Sequence, residues 1–523
     1  MGHEANIDSI RALEKQIEEG KGDIIKLKRT RNSLLNISTR APPEVLGHIF
    51  VWRLCREAVR SLDSLRHFDG LRKGSYNFLL VCHHWFEVAS RTPELWSFWG
   101  NTIQDWKKRY HRSGAGPLDL VLHEPEYDHN NFDGPLEAAL RSHVTQDTIR
   151  QVHLMSYNHN TLTSIISSLT PDGEGGQNEK IESIDWQNEG VGPVDASNFF
   201  SRSSLSRLWF LDLSGSFQIS SWDWLASRTT LLTTLSLEID ESLPSSTPTT
   251  SQLLSILTSN SNLRELRLSY AALPNDAYRS TSKVSLRNLK MLSLSGVSHR
   301  IFELLHQLML PQALDEIHLF GCGSLVEDIS QTLAPYMRDY FRRDTRFQNP
   351  LEVSSSSSCG VISISVGVIC AQATVRAPQV SLAVVLDYIP PPDVVEQFLM
   401  NLTAPIPRES VVAFTANLDM KLPEELLFVM PNIETLSISN VKLSKGFLQP
   451  DSDGPHAGMK LLPSLRSLSL GNITPSGGSW DHLTTYLAHQ TSNGQSISLT
   501  VFGDTPHIHS VVNKIKELVV EVI

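Results

Sequence analysis

Five side chains with ligand or nucleophile chemistry fall close together near the N-terminus: His48, Cys55, Cys82, His83 and His84. Thiolate and imidazole are the usual zinc ligands, but structural zinc sites draw them from CxxC pairs or regularly spaced histidines. No CxxC accompanies these five, and they sit in stretches whose apolar spacing already reads as helix. No metal is expected. Gly173-Glu174-Gly175-Gly176 lacks the Lys-Ser that completes a phosphate-binding loop, so it reads as a plain loop. Asp223, between Trp222 and Trp224, could act as a site acid, but amphipathic helix surface explains it better. Neither a Gly-x-Ser-x-Gly elbow nor an HExxH helix is evident. The reading is therefore non-enzymatic, with no catalytic residue, cofactor or metal assigned. An enzyme site within the weakly patterned 340–420 region would need a cluster of perturbed titratable groups to support it.

The elements that hold those side chains are small helices between Arg40 and Trp99. Pro42 and Pro43 precede Glu44, where a first helical turn needs no backbone N–H. Leu46, Ile49 and Phe50 follow at helical spacing, with Leu54 extending the face and Trp52 beside it. A second run, from Phe78 to Ala89, puts Val81, Cys82, Trp85, Val88 and Ala89 on one side. Thr92-Pro93-Glu94 reads as a cap, a first-turn proline and an N-terminal acid, which predicts a further helix carrying Leu95, Trp96 and Trp99.

Pro42-Pro43-Glu44-x-Leu46-x-x-Ile49-Phe50, then Val81-Cys82-x-x-Trp85-x-x-Val88-Ala89 and Thr92-Pro93-x-Leu95-Trp96, resembles the F-box of substrate receptors in SCF ubiquitin ligases. It is most similar to the F-box-like proteins of mushroom-forming fungi, which often carry a leading helix as well. Two features depart from the pattern: Ala41 stands where a leucine is usual, and Arg56 to Gly74 is inserted. The insert is charged and glycine-bearing, and reads as a loop with at most a helical turn. The resemblance implies docking onto the ligase's small adaptor subunit, and through it onto cullin, by Pro42, Pro43, Leu46, Ile49, Phe50, Val81 and Trp85. Some of these would pack the module's own core instead.

The chain of 523 residues is too long for one ordinary core. Its charge of 45 − 56 = −11 argues against nucleic acid or anionic membrane as a partner, since phosphate contacts need clustered Lys and Arg. The short basic run Lys107, Lys108, Arg109 and Arg112 reads as a solvated helix end. No apolar run approaches a membrane span, and the polar, acidic N-terminus is not a signal peptide. Five scattered cysteines fit a reduced cytoplasmic or nuclear setting.

Three segments follow: 1–36, 37–112 (with the insert at 56–74) and 113–523. In the first, Ile10, Ile17 and Ile24 are seven apart, and Leu13, Leu27 and Leu34 share a second heptad position; Gly20 and Arg31 interrupt the seam. Self-association through 7–34 is one reading; a helix that folds back on the next module or stays monomeric is the other. After Gly114-Ala115-Gly116-Pro117, Leu118, Leu120 and Leu122 alternate as in a strand. An apolar triplet spaced L-x-x-L-x-L then recurs, centred on Val152, Ile184, Leu211, Leu235, Leu266, Leu292 and Ile317, and again on Leu436 and Leu468. Helical faces lie between: Leu253, Leu254 and Leu257; Ile301, Leu304, Leu305 and Leu308; Trp480, Leu483 and Leu487; further helices are read from Pro423 and at Val512 to Val522.

The triplets resemble leucine-rich repeats, although the usual Asn or Cys after each is Ser216, Asp240, Ala271 and Val297, with only Cys322 matching. The expected fold class is α/β: an N-terminal helix, an all-α F-box module, then an irregular leucine-rich-repeat-like solenoid, a curved parallel sheet with outer helices. Ser354 to Ser358 reads as an exposed loop. Val361 to Val368, Val380 to Leu386 and Val411 to Ala416 read as strands of degenerate repeats, and Val361/Ile364/Val366 matches the triplet spacing. The implied function is substrate recognition for an SCF-type ligase, with an unidentified protein target on the repeat domain. The alternative is a non-ligase interaction scaffold with a repurposed F-box.

Overall fold

A computed structural model describes residues 15–16, 19–21, 23–28, 41–62, 83–99, 117–123, 149–170, 180–240, 247–270 and 283–311, and most of 314–322, 351–385, 403–443, 462–475 and 479–502, with short pieces between. The chain forms two compact units, Met1–Arg207 and Leu208–Ile523. Both are mixed α/β, with mainly parallel strands and covering helices. Among the described residues no helix is long and apolar enough to cross a membrane.

After the helical residues 15–16, 19–21 and 23–28, the first unit holds a helical module. Pro43 starts a helix at Pro43–Leu62, followed by helix His83–Ser90 and a 3-10 turn at Pro93–Leu95. The first helix runs through Leu62, so residues 56–62 of the expected loop are helical. Arg, Glu, Ala and Leu dominate there and no Gly or Pro stops the helix. The helix expected after Thr92 is only the 3-10 turn. Thr92 does not cap it, but donates its hydroxyl back to the Val88 carbonyl at 2.8 Å, tying off the preceding helix.

The chain then enters strands Phe98–Trp99, Leu118–His123, Ile149–Ser156 and Ser183–Asn188, paired in parallel in that order. Val152 is in register with Ile184 and Leu154 with Trp186, so the triplet positions stack as a buried layer. Helix His159–Leu169 connects the last two strands. Asn158 caps it by accepting from the Asn160 N–H at 3.0 Å, and Leu162, Ile165, Ile166 and Leu169 are buried. Trp186 packs against Phe199 and Phe200 of the short helix Ser197–Arg202, at 4.9 and 5.2 Å between ring centroids.

In the second unit the triplets again set the register. Leu211 pairs with Leu235, Leu235 with Leu266, Leu266 with Leu292, and Leu292 with Ile317. Each is essentially solvent-free, as a period-2 strand with one buried face requires. Outside lie helices Asp223–Arg228, Thr250–Ser259 and Ser298–Gln307. Thr249 and Gln252 form a capping box on the second of these, and Gln252 also donates to Asp223 of the first at 3.2 Å. Asp223 is thus a helix-to-helix tie. Leu308, expected on the third helix, begins strand Leu308–Met309 instead.

Strand Glu316–Cys322 is followed in sheet order by Gln379–Val385, Val361–Val368, Leu351–Ser358, Val411–Leu418, Thr435–Ser439, Ser467–Gly471 and Ser498–Phe502. The serine run expected as a loop is therefore a strand. It pairs from Leu351↔Val368 to Ser358↔Val361 on one side and with Val411–Leu418 on the other. Two flanking strands satisfy its backbone on both sides, and that outweighs the poor strand propensity of serine. Val361–Val368 runs antiparallel to both neighbours, so its match to the triplet spacing is not a repeat in the same sense. The 423–430 helix falls largely, and the 512–522 helix wholly, outside the described residues.

Candidate protein-interaction site

The helical module has a closed core of its own. Leu46, Phe50, Val88, Ala89, Leu95 and Trp96 are buried together, with Ala41, Val51 and Trp85 packed against them. Burying a side chain the size of Leu46 or Phe50 contributes about 1.5–3 kcal/mol each. Polar ties fix the corner: Trp96 Nε1 donates to the Ala89 carbonyl at 2.8 Å, and Ser97 Oγ to the Glu94 carbonyl at 2.7 Å. Gly47 lies against Thr92, since a Cβ there would stand 3.0 Å from the threonine hydroxyl. The Asp119 N–H donates to the Ser97 carbonyl, so the module leads directly into the first strands of its unit.

Closing that core turns a different stripe of the first helix outward. Val45, Ile49 and Trp52 recur at i, i+4 and i+7 and are 47, 50 and 60% exposed. Pro42 and Pro43 stand exposed at the helix start, and Phe86 is exposed on the second helix. Of the seven residues expected at a docking surface, Pro42, Pro43 and Ile49 are thus accessible. Leu46 and Phe50 are interior, Trp85 is partly buried against Phe50, and Val81 lies outside the described residues. Val45, Trp52 and Phe86 were not among the expected contacts. Helical phase alone could have found Val45 and Trp52, because both share the Ile49 face.

Of the five ligand-capable residues, His48 is exposed and His83 lies 3.5 Å from Glu87 one turn on, while Cys82 and the Cys55 side chain fall outside the described residues. Among the described residues no three His, Cys, Asp or Glu side chains gather to hold a metal.

A second surface is the sheet face opposite the triplets. In the first unit it carries the bidentate Arg150–Asp119 pair, at 3.0 and 2.6 Å, and His153 Nδ1 3.3 Å from Asp185. In the second unit one register row runs Arg267, Ser293, His318 and Ser381, then Ser365 of the antiparallel strand, and on through Ser354, Thr415, Ser437, Ser469 and Thr500. Charge is concentrated at one end, where Arg267 is 3.5 Å from Glu265 and His318 is 3.3 Å from Glu316. Hydroxyls fill the other end. Such a face offers hydrogen-bonding groups.

No protein-family model matches the chain, and no curated protein matches it.

Proposed function

We propose that this chain is a substrate-recognition subunit of an SCF-type ubiquitin ligase, non-catalytic itself. Its helical module is read as an F-box and the strands after it as irregular leucine-rich-repeat-like units. The observation that carries the reading is the exposed apolar stripe Val45, Ile49 and Trp52, set beside Pro42-Pro43 on a helix whose other apolar side is already buried. Exposed aromatic and aliphatic side chains grouped on one rigid helix suit a protein groove. On this reading the stripe docks onto the adaptor subunit, and the polar sheet face or the loops at its rim hold the protein target.

Neighbouring subunits supply the chemistry of ubiquitin transfer. This chain supplies proximity, raising the effective concentration of target lysines at the charged conjugating enzyme. The full chain is expected to co-purify with adaptor and cullin and to direct ubiquitin onto a bound target in a reconstituted system. A chain that joins no such complex is a scaffold of another kind.

A further inference from the structure

Residues 19–21 and 23–28, near the N-terminus, are helical. Ile24 and Leu27 occupy the two apolar heptad positions of that helix and are 54 and 70% exposed; Ile25 beside them is 49% exposed. Gly20 takes the preceding core position, and a Cβ built there meets nothing within 4 Å. Ile24 and Leu27 are uncovered, and in the sequence they continue the 3.5-residue repeat of Ile10, Leu13, Ile17 and Leu34, which fits another helix of the same period.

The flanking charges select which helix. Asp23 holds the position before Ile24, while Lys21 and Lys28 hold the position after a core residue. In a parallel, in-register pair the first kind of position faces the second kind one heptad on, so Asp23 meets Lys28 of the second copy on both sides of the seam. In an antiparallel pair like positions face each other, and with Ile24 packed on Leu27 of the second copy Lys21 would oppose Lys28. Asp23 lies 3.7 Å from Lys26 of its own helix, but both are more than three-quarters exposed, so that contact does not withhold Asp23.

We propose that two copies of this chain associate through a parallel two-stranded coil, with Ile24 on Ile24 and Leu27 on Leu27. Gly20 and the core-position Arg31 interrupt the seam, so the pair is a concentration-dependent equilibrium rather than a permanent dimer. A dimer presents every other interaction surface twice, and a bivalent partner then gains avidity without any new contact. The inference does not rest on the ligase reading.

Sedimentation velocity of the full chain over a concentration series tests it, with folding checked by circular dichroism. A monomer–dimer equilibrium is expected. Gly20→Leu should tighten it at least tenfold, and Ile24→Asp/Leu27→Asp should leave only monomer with unchanged melting. Asp23→Lys should weaken the dimer, and Asp23→Lys/Lys28→Asp should restore it. A wild-type chain that stays monomeric, or a dimer that survives Ile24→Asp/Leu27→Asp, overturns the proposal. So does a charge swap that fails to restore pairing. A monomeric Ile24→Asp/Leu27→Asp variant with a lowered melting temperature would also overturn it, by showing that the seam packs on its own chain.

Discussion

Phe50 and Trp85 face each other across two helices, ring centroids 5.0 Å apart and planes inclined by 57°. Phe50 is buried, and this contact with Leu46, Val88 and Leu95 closes the module around its own core. The outward stripe exists because those side chains are already used. Phe50→Ala should therefore destabilise the module by about 3–5 kcal/mol. Val45→Ala, on the exposed side, should shift stability by no more than about 0.5 kcal/mol. Denaturant unfolding of both variants checks the contrast.

Ser216 donates its hydroxyl to Asp240 at 2.8 Å, joining equivalent positions of adjacent strands, 24 residues apart. It is a side-chain tie where a repeat ladder would place asparagine. Ser216 is buried and Asp240 exposed. Ser216→Ala should cost about 1–2 kcal/mol, and the Ser216→Ala/Asp240→Ala double variant should cost less than the sum of the single changes. A double-mutant cycle by chemical denaturation measures that coupling.

Gly471 is in register with Phe502, whose ring lies over it. A Cβ at Gly471 would collide with the ring's Cε2. Gly471→Ala should displace the ring and cost about 1–3 kcal/mol. Adding Phe502→Ala should recover part of that loss, because the clash is with the ring alone. Thermal melting of the single and double variants decides it.

Burial pushes the Tyr486 phenol up to about 12, opposed by a hydrogen bond with Gln490. Its hydroxyl donates to the Leu462 carbonyl at 3.1 Å. The folded value lies above the unfolded value near 10, so the folded chain holds this proton longer. The stability it contributes is complete below about pH 10 and is lost as pH rises toward 12, on the order of 2 kcal/mol. Tyr486→Phe should unfold with a shallower alkaline slope than wild type in a pH series of denaturant melts. An unchanged slope would mean that the phenol is not held neutral.

Much of the sheet was legible because its signal is strictly local: an apolar residue every second position, repeated at a near-constant interval. Leu211, Leu235, Leu266, Leu292 and Ile317 fall into one register with no slip. The strand at Leu351–Ser358 was not legible, since its five serines carry no apolar alternation and neighbouring strands impose its conformation. The same non-local cause hid the reversed direction of Val361–Val368. Ser498–Phe502 was missed because its alternation, Ile497, Leu499 and Val501, has Ser496 where the other triplets have a leading leucine or isoleucine. In the helical module, spacing identified the first helix but not the division of its apolar residues. Leu46 and Ile49 differ in fate only because Val88 and Leu95 cover one and not the other.

The most direct test of the central claim is isothermal titration of the full-length chain with the purified SCF adaptor subunit, beside an Ile49→Asp/Trp52→Asp variant of matched circular dichroism and melting. Saturable one-to-one binding by the wild type, lost in the folded variant, is the expected result. No binding by folded wild type, or binding unchanged in the variant, would contradict the assignment of that stripe as an adaptor-docking surface.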